Sequence, residues 1–298
     1  MGAPRRAALL VPIAVLVACG FDGVGEVGTT PVGDGGIQGS ADGGSGDDGA
    51  TTTPDGSVDA PVDAPLDARD ASIALGSGIV YGHSVTTLYR FDPVGKTFAT
   101  VGPLTGCSNL SDIAVDRDGK IVGVGDALYA VSATTGACTV IANQPQPFTL
   151  TFVAAGTVDA ASEALVAYLN ADYVRINRAT GVVTLITANA LGAYLPSGDL
   201  VSVAGSGTYV SVTGPSCADC LLEVNPTTGT IVKNLGPIGQ SQIFGLGLWA
   251  GTVYGFAGSG ETYAITIGAT SVTSALVVNA NKPAGGFIGG GSTTAAPN

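Results

Sequence analysis

The 298-residue chain reads as an all-β protein, a five-bladed β-propeller preceded by an N-terminal segment of different composition. Three observations predict this. Five similar segments begin at Leu88, Leu128, Tyr173, Leu221 and Thr262, which is 40, 45, 48 and 41 residues apart, the period of a four-stranded blade. Most carry alternating apolar residues into a Thr-Gly turn, as in Leu128-Tyr129-Ala130-Val131 followed by Thr135-Gly136, where glycine supplies φ > 0 without steric cost. Only 11% of residues are charged and 46 are glycine, which suits short strands and tight turns better than amphipathic helices.

The second repeat displays a complete blade. Strand a is Asp112–Asp116 and strand b Lys120–Val124, joined through Arg117-Asp118-Gly119. Strand c is Leu128–Val131, and strand d is Ala137–Ile141 after the Thr-Gly turn. Apolar residues alternate or run together in each, as sheets covered on both faces require. The third, fourth and fifth repeats parse alike. The first starts with Gly78–Gly82, which matches a strand b, so its strand a is missing. The C-terminal stretch Gly285–Gly290 is a spare strand; paired with the first blade it closes the ring and removes an exposed sheet edge. Six blades is the alternative count, and a β-sandwich or β-solenoid the alternative fold. Residues 73–298 resemble the broad WD40, YVTN and quinoprotein-like propeller group, without the Trp-Asp dipeptide or tryptophan docking motifs of its members; Trp249 is the single tryptophan. That resemblance implies architecture rather than activity.

The N-terminus carries a different signal. Arg5 and Arg6 precede an apolar run from Ala7 to Ala18. Spanning a bilayer takes about 20 apolar residues, so this run is too short and has the size of a signal-peptide core. It ends in Leu16-Val17-Ala18-Cys19, which resembles the lipobox of bacterial lipoproteins. The resemblance implies a signal peptide over 1–18, cleavage before Cys19, and attachment of a diacylglyceryl group and an acyl chain there. Two or more chains anchor a protein stably where one does not, so the membrane becomes a partner without a transmembrane helix. Gly20 in place of an aspartate points to the outer rather than the inner membrane.

Residues 19–72 form the expected tether. From 20 to 72 they hold eleven acids and one base, Arg69, with almost no aromatics, a composition that buries too little apolar surface to order itself. Gly43-Gly44-Ser45-Gly46-Asp47 is one imperfect copy of a calcium repeat and reads as linker. The net charge of −12 thus sits mostly outside the propeller, whose twelve acids and eight bases leave about −4. No basic patch supports a nucleic-acid partner.

With Cys19 lipidated, Cys107, Cys138, Cys217 and Cys220 remain, an even number that suggests two disulfides in an exported chain. Cys217 and Cys220 form a C-x-x-C clip within one b–c loop. The count pairs Cys107 with Cys138, but the strand assignment places them on opposite faces of the ring, so that bond stays open. A zinc site lacks ligands, because His83 is the only histidine.

Chemistry is sparse. His83, beside Ser84 in an expected solvent-exposed b–c loop, would have to serve any serine triad. Asp116-Arg117-Asp118-Gly119 lacks the later ligands of a calcium loop and reads as a hairpin turn, and Gly205-Ser206-Gly207 has no following helix to bind phosphate. A glycosidase needs two facing carboxylates. Asp112 and Asp199 start strands near the axis while Asp159 and Glu163 fall on the other face, and the four show no convergence. No catalytic residue, metal or cofactor is implied. The d–a and b–c face carries small polar groups instead: Asn109, Ser111, Asp112, Gln144, Gln146, Gln240 and Gln242. Amides and hydroxyls suit a neutral glycan or an envelope protein. The chain therefore reads as an envelope-anchored, non-catalytic binding or scaffold module. The alternative is a propeller-type glycoside hydrolase or lyase acting on an extracellular polysaccharide.

Overall fold

The computed structural model describes residues 78–278 and 282–297. The leader, Cys19 and the tether lie outside the described residues. Twenty strands form five antiparallel four-stranded sheets. Blade 1 holds β1 (Val80–His83), β2 (Thr87–Asp92), β3 (Thr97–Pro103) and, as its inner strand, β20 (Gly289–Ser292). Blade 2 runs β4 (Asp112–Val115), β5 (Ile121–Val124), β6 (Leu128–Val131) and β7 (Cys138–Ala142). Blade 3 is β8 (Thr149–Val153), β9 (Ala164–Leu169), β10 (Asp172–Ile176) and β11 (Val183–Thr187). Blade 4 is β12 (Leu195–Val203), β13 (Gly207–Gly214), β14 (Cys217–Val224) and β15 (Ile231–Pro237). Blade 5 is β16 (Ile243–Trp249), β17 (Thr252–Ala257), β18 (Thr262–Ile267) and β19 (Val272–Val278). The architecture is the five-bladed β-propeller expected from the repeats.

Closure also follows expectation, with a correction to the strand that performs it. The segment paired with β1 is Gly289–Ser292, in antiparallel register from Val80 opposite Ser292 to His83 opposite Gly289, not Gly285–Gly290. Gly285 and Gly286 have φ of 87° and 75° and form a turn. Phe287 is fully buried, 5.0 Å from Phe98 and 5.1 Å from Phe256 between ring centroids. Phe91 and Tyr254 meet 5.0 Å apart in the same seam. Aromatic pairs of this geometry each add roughly 0.5–1.5 kcal/mol beyond burial, so blades 5 and 1 are joined by rings as well as by the β1–β20 ladder.

Cys107 and Cys138 are bonded, with Cα atoms 5.3 Å apart. The supposed conflict of faces disappears because each sheet twists by about 20–25° per strand. Across four strands the outer edge becomes steeply inclined to the inner one, and its end reaches the c–d turn of the next blade. The Cys138 N–H donates to Thr105 O at 2.8 Å at this junction. Other c–d turns are also fastened to the preceding blade, from different strands. Gln144 Nε2 donates to Gly181 O in the blade 3 turn (2.7 Å), Tyr173 OH to Pro226 O in the blade 4 turn (2.8 Å), and Lys96 Nζ, in the blade 1 turn, to the Tyr254 hydroxyl of blade 5. Cys217 and Cys220 form the expected clip, Cα atoms 5.8 Å apart, but at the start of β14 rather than in the b–c loop.

The segment after β20 crosses the face that carries the a–b turns. Thr293 N–H donates to Ile79 O in blade 1 (3.0 Å) and bridges Val115 of blade 2. The Thr294 hydroxyl donates to Glu163 of blade 3. Thr294 O accepts from Ala204 N–H of blade 4 (2.9 Å), and Pro297 O from Ala250 N–H of blade 5 (2.7 Å). Thr293, Thr294 and Ala296 are buried, so this segment plugs the axis at that end. Gly78 packs there too: a Cβ on it would lie 2.2 Å from the Ala296 Cα.

The two disulfides close loops of very different length, with sequence separations of 31 and 3. On the chain-entropy account the first stabilises by about 3–4 kcal/mol and the second by less than half of that. Urea unfolding of the double variants Cys107→Ser/Cys138→Ser and Cys217→Ser/Cys220→Ser is therefore expected to give a large and a small drop in midpoint, respectively. Equal drops would show that the inter-blade link does not act through the chain it encloses.

Candidate functional site

The axis is built from corresponding residues of the five inner strands. The strand starts align as Ser111-Asp112-Ile113, Phe148-Thr149-Leu150, Gly198-Asp199-Leu200, Phe244-Gly245-Leu246 and Ile288-Gly289-Gly290. The first residue of each triplet, together with Ser197, lines an open depression of about 310 Å³ on the d–a and b–c face. This is the mouth of the axis, opposite the plugged end. The register of β16 shifts between Ile243 and Gly245, so Phe244 is the extra residue of a bulge, a device that re-aims a side chain. A similar shift in β12 spans Ser197 and Gly198.

Directly beneath the mouth lies a ring of Asp112, Thr149, Asp199, Gly245 and Gly289. Asp112 and Asp199 are 1% and 0% exposed. Asp112 Oδ1 accepts from Ile113 N–H (2.8 Å) and Oδ2 from Leu150 N–H of the next blade (3.2 Å). Asp199 repeats the pattern with Leu200 N–H (2.6 Å) and Leu246 N–H (2.7 Å). Thr149 reaches forward in the same way, donating from Oγ1 to Gly198 O at 2.9 Å. Each polar residue of this ring thus straps its blade to the following one.

Nothing local in the chain brings Asp112 and Asp199 together, yet they meet. Burial, then the charge and hydrogen bond of Asp199, push the Asp112 carboxyl well above the usual carboxylate range. Burial raises Asp199 as well, while the hydrogen bond from Asp112 lowers it. Two like charges cannot both be held here, so the pair holds a proton, with Asp112 donating to Asp199. His83 is also displaced from its expected setting. It ends β1, fully buried rather than in an exposed loop. Burial lowers its pKa to about 4, so the ring is neutral. Nδ1 lies 2.9 Å from Ser84 O, which requires the proton on Nδ1. Nε2 has no partner, and with Asp112 Oδ1 it fills the space that a Cβ on Gly289 would take.

The remaining sequence candidates are scattered around this site. Ser111 lines the mouth. Exposed Asn109 donates to Asp126 Oδ2 at 2.9 Å. Gln144 and Gln146 both donate to Gly181 O, at 2.7 and 3.2 Å, and Gln240 donates to Ser274 Oγ at 3.4 Å. These three amides join neighbouring blades. Exposed Gln242 has φ 58°, and its N–H donates to Asp219 Oδ2 at 2.8 Å. Asp159 and Glu163 stay on the plugged face, as expected. Asp159 pairs with Arg175 at 2.7 Å, and Glu163 accepts from Arg117 N–H at 2.9 Å. The Asp116–Gly119 segment is the expected hairpin turn, with Asp116 Oδ1 accepting from the N–H groups of Asp118 and Lys120 at 3.0 and 2.9 Å. No group of three metal-ligating side chains occurs among the described residues. Sequence reading missed Phe148, Phe244 and Ile288. Aligning the five strand starts on their Asp/Thr/Gly-Leu/Ile/Gly pairs would have found them, each one residue upstream.

No protein-family model matches the chain, and no curated protein matches it. Solved structures do. The chain is similar to a symmetrical protein of de novo evolutionary emergence, at 14% identity over 71% of this chain and 93% of that one, with a TM-score of 0.44. It is similar to a GH43 glycoside hydrolase engineered for endo-xylanase and exo-arabinofuranosidase activity (13%, covering 70% of this chain and 54% of that one, TM-score 0.42). It is also similar to the β-propeller domain of Myceliophteria thermophila Cps50 (14%, 65% and 63%, TM-score 0.37). These likenesses concern the fold.

Linkage through the buried trio fixes a pH dependence. Unfolded, His83 gains its proton below about 6.5 and both carboxyls ionise above 3.8. Folded, His83 stays neutral down to about 4, while burial keeps the Asp112 and Asp199 carboxyls protonated above their ordinary range. The histidine thus contributes stability that is lost as pH falls from about 6.5 towards 4, and the carboxyls contribute stability that is lost as pH rises from 3.8 through their raised folded values. Above about pH 6.5 the histidine is neutral in both states and only the carboxyls act, so stability falls as pH rises, by at most ~1.4 kcal/mol per unit for each proton the folded state still holds, until they ionise. In Asp112→Asn the amide donates to Asp199 without a titrating proton. Asp112 is then removed from the balance, which leaves His83 and the buried Asp199. Urea unfolding of both proteins from pH 4.5 to 8.5 is expected to show the wild type losing ground to the variant steadily as pH rises. A pH-independent difference would rule out the shared proton.

Proposed function

We propose that this protein is a lipid-tethered, non-catalytic binding module of the bacterial cell envelope, holding a glycan or an envelope protein at the axial mouth. The observation that carries the reading is the polarity of the ring. One end of the axis opens into a cavity lined from all five blades. The other is plugged by residues 293–297, beside the point where the chain enters at Gly78. A tether attached at the plugged end leaves the mouth free to face away from the membrane. The leader and Leu16-Val17-Ala18-Cys19 supply the anchor in this reading, with the outer membrane as its place. A non-catalytic role fits the two axial carboxyls, which lie under the mouth lining and each accept two backbone N–H bonds.

A second reading, a glycoside hydrolase or lyase, draws on the convergence of Asp112 and Asp199 at the axis, since paired carboxyls are what such chemistry uses.

The full-length protein, expressed in a lipoprotein-processing bacterium, is expected to have an intact mass that begins at Cys19 plus a diacylglyceryl group and an acyl chain, and to fractionate with the outer membrane. Cys19→Ser is expected to lose the lipid mass. A photo-crosslinking residue at position 148 should capture envelope material that the same residue at Ala250, on the plugged face, does not. An unlipidated product would overturn the anchoring. Equal capture from both faces would overturn the mouth as the binding face. Release of reducing ends from envelope polysaccharide, abolished in Asp199→Asn, would favour the enzyme.

A further inference from the structure

We infer that the axial mouth is a socket for one large apolar side chain, aromatic or branched, presented by a partner polypeptide. The inference rests on the binding-module reading and selects, between its two ligand classes, a protein over a glycan.

The lining decides the chemistry. Phe148, Phe244 and Ile288 provide the walls, with Ser111, Ser197 and Gly198 between them. No charged side chain is among them. Both serine hydroxyls and the Gly198 carbonyl already have partners. Ser111 Oγ donates to Val124 O at 3.1 Å, Ser197 Oγ donates to Asp219 Oδ1 at 2.6 Å, and Gly198 O accepts from Thr149 at 2.9 Å. A sugar ring entering here would lose water from several hydroxyls and find few free partners, which is costly. An apolar group has nothing to leave unsatisfied. The volume of about 310 Å³ lies at the small end of ligand cavities and suits a single side chain better than an oligosaccharide.

Phe148 is the second observation. It is 51% exposed, the only aromatic side chain so exposed among the described residues. Its support is stiff. The segment Gln144-Pro145-Gln146-Pro147-Phe148 fixes φ at two prolines. Both glutamine amides are anchored on Gly181 O of the next blade. A large apolar ring held in water on a rigid mount is the arrangement of an interface anchor, which binds without an ordering cost. Gln144 and Gln146, read from sequence as ligand contacts, become positioning residues for Phe148.

The test uses the full-length Cys19→Ser chain, ¹⁵N-labelled, titrated separately with N-acetyl-L-tryptophanamide, N-acetyl-L-leucinamide, N-acetylglycinamide and methyl β-D-glucopyranoside. The tryptophan and leucine amides are expected to shift the amide signals of Ser111, Phe148, Gly198, Phe244 and Ile288, and to bind about tenfold more tightly than the glycine amide. The glucoside should leave those signals unmoved. Phe148→Ser, which alters an exposed side chain, should weaken the tryptophan amide about tenfold with the rest of the spectrum preserved. Gln144→Ala/Gln146→Ala, which keeps the ring but frees its mount, should weaken it several-fold. Shifts with the glucoside and none with the apolar amides would overturn the socket while leaving a glycan-binding module standing. No shift with any probe would overturn the socket too, and the crosslinking comparison of the two faces then judges the binding module separately.

Discussion

Five strands meeting on one axis is the constraint from which the rest of this structure follows. At the top of the ring there is no room for five side chains. A Cβ on Gly245 would lie 2.6 Å from the Gly289 carbonyl carbon, and one on Gly289 would lie 2.9 Å from the Asp112 Cα. The ring therefore alternates between absence and function: two glycines, and three polar residues whose side chains turn sideways to bond the neighbouring backbone. Steric exclusion and hydrogen bonding act together. The glycines let the strands approach, and Asp112, Thr149 and Asp199 hold them there. The cost is two carboxyls in one small buried volume, which is met by a proton held between them.

The twist of the blades makes the second set of joints. Because each sheet rotates outward, its last strand ends near the next blade's c–d turn. Different chemistry fastens the c–d turns to the preceding blade: a disulfide and a glutamine amide from chain leaving an outer strand, a tyrosine hydroxyl from β10, and a lysine that reaches Tyr254 of β17. Geometry specifies the contact, and several residue types can satisfy it. That tolerance fits repeats that share a blade length and a Thr-Gly turn but little else.

Which parts were legible in the sequence follows from the same distinction. Blade number and hairpins were readable because turn chemistry and strand alternation are local, as in Asp116–Gly119 and Ala137–Ile141. Closure was readable as a need, since β1 lacked a partner, but its register was not. Gly285–Gly290 and Gly289–Ser292 look alike in glycine content, and only the burial of Phe287 in the aromatic seam separates them. Cys107 and Cys138 were placed on opposite faces because strand order ignores twist. His83 looked like a loop residue since nothing local reports that β20 and β4 cover it. The mouth escaped notice for a related reason. Phe148 follows a Gln-Pro-Gln-Pro run and Phe244 sits inside an apolar strand, and only their register across blades shows that both line one mouth.

The position of β20 bears on how the domain comes into being. Its partner β1 is the first strand of the ring, and four whole blades separate the two along the chain. A chain delivered from its N-terminus, by a ribosome or through a membrane pore, thus presents β1 with an open inner edge throughout delivery. The aromatic seam and the axial plug also wait for the same final residues. Early blades can form their own hairpins, but the plug and the mouth are completed together in a last step. Assembly is therefore all-or-none at its end, and a chain cut short before β20 would be an open arc with an adhesive edge rather than a smaller propeller.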